Sequence, residues 1–253
     1  MKFLLRAAYL CGTFLLYLPL VTLVIYSFIR FDNRHEGFQF TLDWYLKAAS
    51  DVPVLEALGR SLWVGFCSTL AATWIGTWAA LALERTRFRG SKLLNFLTYV
   101  PLIMPEIVLG LSLLIWFVFL NLTLGTFSVI LAHITFSISY VILTVRTRLT
   151  QFDRTLEEAA RDLGASPLQT FRKVTFPLIW PAVLSGGLIA FTLSFDDFMI
   201  TYFTAGVASE TLPLKIYSMV KFGVSPEINA ISTVMLAVTL FIVLLVFRPN
   251  ARE

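Results

Sequence analysis

Three carboxylates stand where an apolar chain accommodates them least well. Glu106 follows Pro105 inside a long apolar run, and Asp196 and Asp197 close another. Ionisable groups at membrane depth are costly and mark functional sites by default. Glu106 lies 14 residues past Lys92, roughly 21 Å along a helix. Asp196 and Asp197 lie 19 and 20 residues past Pro177, about 29–30 Å along. Carboxylates set along the outer half of a path favour cations and repel anions. A structural role is the alternative for each. The two aspartates would end a helix at headgroup level or pair with Lys215 or Lys221, and Glu106 would bond backbone groups freed by a proline kink. Tyr217 and Lys221, spaced i and i+4, suit one face of a gate, where the ring can stack on a cation. The alternative there is an interfacial Tyr beside a snorkelling Lys.

A second cluster of residues suits docking rather than binding a solute. Glu158-Ala159-Ala160 is followed by Gly164 and then by Val174-Thr175-Phe176-Pro177. Leu156, Ala159, Ala160 and Leu163 fall at i, i+3, i+4 and i+7, so a short helix here has one apolar face. Two alanines at its centre let another surface approach closely. Thr155-x-x-Glu158 predicts a capping box at its start, and Gly164 suits the left-handed residue that ends it. Ser166, Pro167 and Gln169 predict a second helix with its own capping box. A loop packed under its own bundle is the alternative. A DNA-binding helix-turn-helix is disfavoured, because both ends are tethered to apolar runs.

The elements that must hold these residues are membrane spans. The chain is 57% hydrophobic and 14% charged over 253 residues, against about 25% charged in a soluble domain. Runs of about 20 apolar residues span a bilayer. Six candidates are present: 7–29, 62–83, 94–120, 127–145, 178–195 and 228–247. The third is over-long and carries Pro101 and Pro105, which predicts a kink or tilt. The pattern predicts an all-α integral membrane protein of six transmembrane helices, one membrane-embedded domain over 1–253, with a cytoplasmic loop at 146–177. The first run is too long for a signal-peptide core and reads as an uncleaved anchor.

Charge sets the orientation. With the N-terminus in the cytoplasm, fourteen of the twenty Lys and Arg residues fall inside and six outside, so both termini are expected to be cytoplasmic. The first outside segment, 30–61, holds Trp44 and Tyr45, which suit an interfacial anchor. The second, 196–227, is rich in apolar residues and suits a partly buried or re-entrant piece lining a cavity. Cys11 and Cys67 sit in apolar runs as inert thiols. Neither they nor His35 and His133 have metal-ligand spacing. No Gly-x-x-x-x-Gly-Lys-Ser/Thr sequence occurs, so the chain carries no phosphate-binding loop of that kind.

The docking motif resembles the signature loop of the membrane permease subunits of binding-protein-dependent ABC importers, with Val174 for the usual Ile and Phe176 for Leu. The resemblance implies a methionine-permease-like fold and a helix seated in a groove of an ATP-hydrolysing subunit. It places coupling at Glu158, Ala159, Ala160, Gly164 and Pro177, with ATP and Mg on the partner and no cofactor in this chain. A narrower resemblance lies in His133-Ile134-Thr135-Phe136, Asp162 to Ser166, Phe191 to Asp197 and Leu212 to Lys221. These stretches are similar to the C-type permeases of spermidine/putrescine importers, which carry an acidic residue, usually Asp, at the position of Glu106. That family implies a second homologous permease, an ATPase dimer, a periplasmic polyamine-binding protein and the bacterial inner membrane. A flexible polycation needs several weak acidic or aromatic stations, and Glu106, Asp196, Asp197 and Tyr217 supply some. An importer of ferric ion, thiamine or phosphonate is the nearest rival. A secondary transporter is another, but the signature loop has no job there. An intramembrane enzyme lacks a catalytic set.

Overall fold

Apolar periodicity makes long helices here, and prolines and glycines decide where they stop. The computed structural model describes residues 2–32, 37–86, 88–207, 209–223 and 225–246. His35 and four of the cations counted above, Arg34, Arg87, Arg248 and Arg252, lie outside these. In chain order the elements are α1 (Lys2–Ser27), β1 (Ile29–Asp32), β2 (Gly37–Phe40), α2 (Asp43–Ser50), α3 (Val52–Arg85), α4 (Ser91–Ile103) and α5 (Glu106–Phe119). There follow α6 (Thr126–Gln151), α7 (Thr155–Asp162), α8 (Pro167–Thr170), a π-helical turn (Phe171–Thr175), α9 (Phe176–Asp196), α10 (Met199–Thr204), α11 (Leu212–Phe222) and α12 (Pro226–Val246). Five helical stretches are long and apolar enough to cross a membrane, and α4 with α5 makes a sixth if the pair is one span.

The third run is not one kinked helix. It is two helices that meet at 116°. Pro105 has no N–H to donate and pushes Met104 to an extended backbone (ψ 136°). The helix therefore ends at Ile103 and restarts at Glu106.

The chain forms two units, 1–58 with 212–241, and 59–211 with 242–253. In the first, β1 and β2 pair antiparallel, with Ile29 opposite Phe40. The segment expected to anchor at the interface thus holds two paired strands followed by a helix. Trp44 and Tyr45 are tied within it. The Trp44 indole N–H donates to the Ile29 carbonyl at 3.0 Å, and the Tyr45 hydroxyl meets Ser27 Oγ at 2.7 Å. Their polar tips needed partners, and β1 and the end of α1 supply them. Lys47 Nζ reaches the buried Glu227 Oε2 at 2.8 Å.

The second unit is organised on α6 and α9. Val141, Ile142 and Val145 of α6 pack with Ile179, Val183 and Ala190 of α9 and with Ala80 and Leu81 of α3. Gly76 makes the α3 contact possible, because a Cβ there would stand 2.8 Å from Val141 Cβ. A second cluster joins Leu109 and Phe117 of α5, Ala132 and Phe136 of α6, and Ile200 of α10. Gly110 lets α10 lie against α5, since a Cβ there would come within 2.9 Å of Phe203 Cδ2.

Candidate functional site

The second unit holds two sites. The first lies where α4 breaks, beside the end of α9. Glu106, Asp196 and Asp197 all line one cleft of about 310 Å³, together with Phe136, Tyr140 and Phe198. The break brings them together. It places Glu106 in the first turn of α5, where the helix dipole favours a carboxylate. Asp196 is the last residue of α9 and is exposed. Among the described residues no group bonds the Glu106 carboxylate, so the backbone hydrogen bonds that a structural role needs are not made.

Asp197 differs. Its side chain is only 5% exposed. Oδ2 accepts the backbone N–H of Thr201 at 2.7 Å and the Thr201 hydroxyl at 2.8 Å. Oδ1 accepts the Ile200 N–H at 3.3 Å. Asp197 thereby starts α10 by taking up its free N–H groups. His133, fully buried, brings Nε2 to 3.3 Å from Asp197 Oδ2 and 3.0 Å from Thr201 Oγ1. Its Nδ1 meets Ser194 Oγ at 2.6 Å, and Ser194 meets Ser68 Oγ at 3.1 Å. An ionised carboxylate only accepts, so Nε2 carries a proton toward Asp197, and in the neutral ring Nδ1 accepts from Ser194. One polar chain thus links α3, α6, α9 and α10.

Tyr217 and Lys221 lie in the first unit, one turn apart on α11, both exposed. His133, Ser194 and Thr201 were not singled out from the sequence. The signal for His133 was present, since an ionisable residue in the apolar run of α6 needs a buried partner.

The second site is the connector from α6 to α9. Helix α7 starts one residue earlier than the Thr155 box predicts, and the capping side chain is Asp153, two residues before Thr155. Asp153 Oδ1 accepts the Thr155 N–H at 3.0 Å, and Thr155 is already helical. Asp153 takes the N–H that the Glu158 carboxylate would accept in the predicted box. The hydrogen bonds from the Thr155 backbone N–H and side chain hold the Asp153 carboxyl below its usual value. The other end follows expectation. Gly164 has φ +86°, and the N–H groups of Gly164 and Ala165 bond the carbonyls of Arg161 and Ala160, which is the Schellman closure. Ser166 and Gln169 form the reciprocal capping box.

Glu158 and Ala159 are exposed, Ala160 is half-buried, and Leu163 is 90% exposed. The apolar face of α7 is therefore uncovered in this chain. Glu157 is the covered carboxylate of α7, its side chain 12% exposed. Its Oε1 accepts from Arg85 Nη2 at 2.8 Å and from the Thr175 hydroxyl. Pro177 lies at the start of α9. The π turn before it carries the Phe176 N–H back to Phe171 O, giving room for a ring that cannot donate.

A family model described as "binding-protein-dependent transport system inner membrane component" matches residues 72–249. The chain belongs to that family. This permease is 43% identical over 231 residues to the spermidine/putrescine transport system permease protein PotC of Escherichia coli, covering 90% of this chain and 87% of that one. It is 39% identical over 247 residues to PotC of Haemophilus influenzae, covering 96% and 95%. It is 43% identical over 234 residues to the putrescine transport system permease protein PotI of E. coli, covering 90% and 83%. Among solved structures, a bacterial ABC transporter for import of alginate matches with TM-score 0.75 at 18% identity, covering 99% of this chain and 97% of that one. The methionine transporter MetNI matches with TM-score 0.59 at 19% identity, covering 77% and 91%. These structures establish the fold.

Proposed function

We propose that this permease is one of two homologous membrane subunits of an ABC importer. It carries polyamines, spermidine or putrescine, from periplasm to cytoplasm across the bacterial inner membrane. A periplasmic binding protein delivers the solute. ATP, with Mg, is hydrolysed on a separate subunit dimer. The distribution of Lys and Arg supports cytoplasmic termini.

The observation that carries the substrate class is the cleft. Three carboxylates line it with aromatic rings, and among the described residues no Lys or Arg does. Such a lining attracts a polycation and rejects an anion. The full-length similarity to permeases named for spermidine and putrescine supports the same class. Glu106, with no bond to give up, is the station for an arriving ammonium group. Asp197 shapes the cleft and adds charge to it. Tyr217 and Lys221 are assigned to a gate.

Coupling is assigned to the exposed face of α7, with Glu158, Ala159, Ala160 and Gly164 docking on the ATPase subunit and Pro177 leading into α9. The test is uptake of labelled spermidine and putrescine in cells lacking their own uptake and supplied with the whole transporter. Native protein is expected to import at least one, and Glu106→Gln to import less while assembling normally. No uptake by an assembled native complex would overturn the polyamine assignment. For the docking face, Glu158→Lys and Gly164→Asp are expected to insert but not transport, and normal transport by both would sink it.

A further inference from the structure

Docking alone moves nothing: the displacement of α7 must reach the spans. We infer that Glu157, whose side chain is only 12% exposed, is the positioning residue that carries it. The inference rests on the coupling role proposed for α7. One carboxylate oxygen of Glu157 holds both Arg85, in the last turn of α3, and Thr175, the final residue of the π turn that leads into α9. A single atom therefore ties the docking helix to the ends of two spans.

The alternative load paths are weaker. Arg154, just before α7, donates to the Glu84 carbonyl of α3 at 3.1 Å and reaches its carboxylate at 3.6 Å, but its side chain is 55% exposed. Exposed pairs of that length hold little. The Arg85–Glu157 pair is 2.8 Å long, with side chains 19% and 12% exposed, so water screens it far less. Arg85 is steadied further by the Phe152 ring, 5.6 Å from its guanidinium carbon.

The π turn is what the pull acts on. Such turns contain one residue more than an α-turn and recur at functional sites. Moving one residue in or out of a helix rotates everything beyond it by about 100° and shifts it by about 1.5 Å. Thr175 is buried at the end of that turn, and α9 runs unbroken from there to Asp196 at the cleft. Glu157 thereby links the docking helix to the element whose far end carries the cleft carboxylates.

The test uses the complete importer in proteoliposomes, measuring spermidine uptake and ATP hydrolysis in the same vesicles. Retention of the ATPase subunit by the native permease is scored first, because its failure would remove the docking role itself and this inference with it. Glu157→Gln and Thr175→Val are then compared with native protein. Both are expected to retain the ATPase subunit and hydrolyse ATP, while ATP consumed per spermidine rises roughly tenfold in Glu157→Gln, within the usual range of coupling between sites. The swap Arg85→Glu with Glu157→Arg restores the bridge with reversed charge and is expected to bring the ratio back toward native. An unchanged ratio in Glu157→Gln would overturn the inference. So would loss of the ATPase subunit from that variant, which would place Glu157 in the docking surface.

Discussion

His133 Nε2 and Asp197 Oδ2 are 3.3 Å apart, both side chains nearly or fully buried. The imidazole thus sits between a carboxylate at the cleft and the Ser194 hydroxyl at 2.6 Å. His133→Ala would leave Asp197 with only the Thr201 and Ile200 donors and open a void in α6. Removing a hydrogen-bond donor from a buried carboxylate costs about 1–3 kcal/mol. The void puts this case nearer 2–3 kcal/mol. At about 2–4 °C per kcal/mol for a chain of this size, the thermal midpoint in detergent falls by roughly 5–10 °C. An unchanged midpoint would mean that α10 is held by its other contacts alone.

Glu106 and Asp197 line the same cleft, yet neutralising them should give different phenotypes. Glu106→Gln removes an exposed charge that no described group bonds, so stability stays within about 0.5 kcal/mol. Its effect falls on uptake. Asp197→Asn replaces one accepting oxygen with an amide and opposes the His133 or Thr201 donors. It is expected to lose about 1–3 kcal/mol of stability as well as uptake. Side-by-side melting and uptake curves check this. Equal stability losses in the two variants would contradict the assigned difference.

The sequence showed the charges but not who holds them. Glu106, Asp196 and Asp197 were visible because carboxylates are rare in apolar runs, and the Gly164 closure and Ser166 box were visible because both depend on residues a few positions apart. Glu157 was passed over for Glu158. Its partners lie 72 and 18 residues away in the chain, and no local pattern encodes such a pairing. The break at Met104 was foreseen only as a kink, since Pro105 stops a helix but does not state the angle. The pairing of β1 with β2 was not foreseen. It is short, and the ring contact beside it, Phe28 stacked on Phe40 with centroids 5.5 Å apart, joins residues 12 apart in the chain.

Gly110 tests whether α10 must lie tight on α5. A Cβ at this position would stand 2.9 Å from Phe203 Cδ2 and 3.3 Å from Ile200 Cα. The ring can turn aside, but the backbone of Ile200 cannot without lifting the helix. Gly110→Ala is therefore expected to cost about 1–3 kcal/mol, the usual penalty of overpacking, despite the gain in helix propensity. Thermal unfolding measures it. A stabilised variant would show that α10 is free to move away from α5.

Lys47 and Glu227 give a pH dependence of known sign. The hydrogen bond from Lys47 to Glu227, and then the charge of Glu227, raise the Lys47 pKa above 10.5. A group whose pKa is raised by folding binds its proton more tightly in the folded state. Its contribution is thus complete below 10.5 and is lost as pH climbs through the raised value. Glu227 is nearly buried and its other oxygen, Oε1, has no partner among the described residues, so loss of the ammonium leaves a carboxylate without compensation. Lys47→Met is expected to lower the thermal midpoint at pH 7 to 9. As pH climbs past the raised Lys47 pKa the native protein should fall toward the variant, and the two curves converge. Melting curves for both proteins from pH 7 to 12 make the comparison. Parallel curves across that range would show that the pair does not hold α2 to α12.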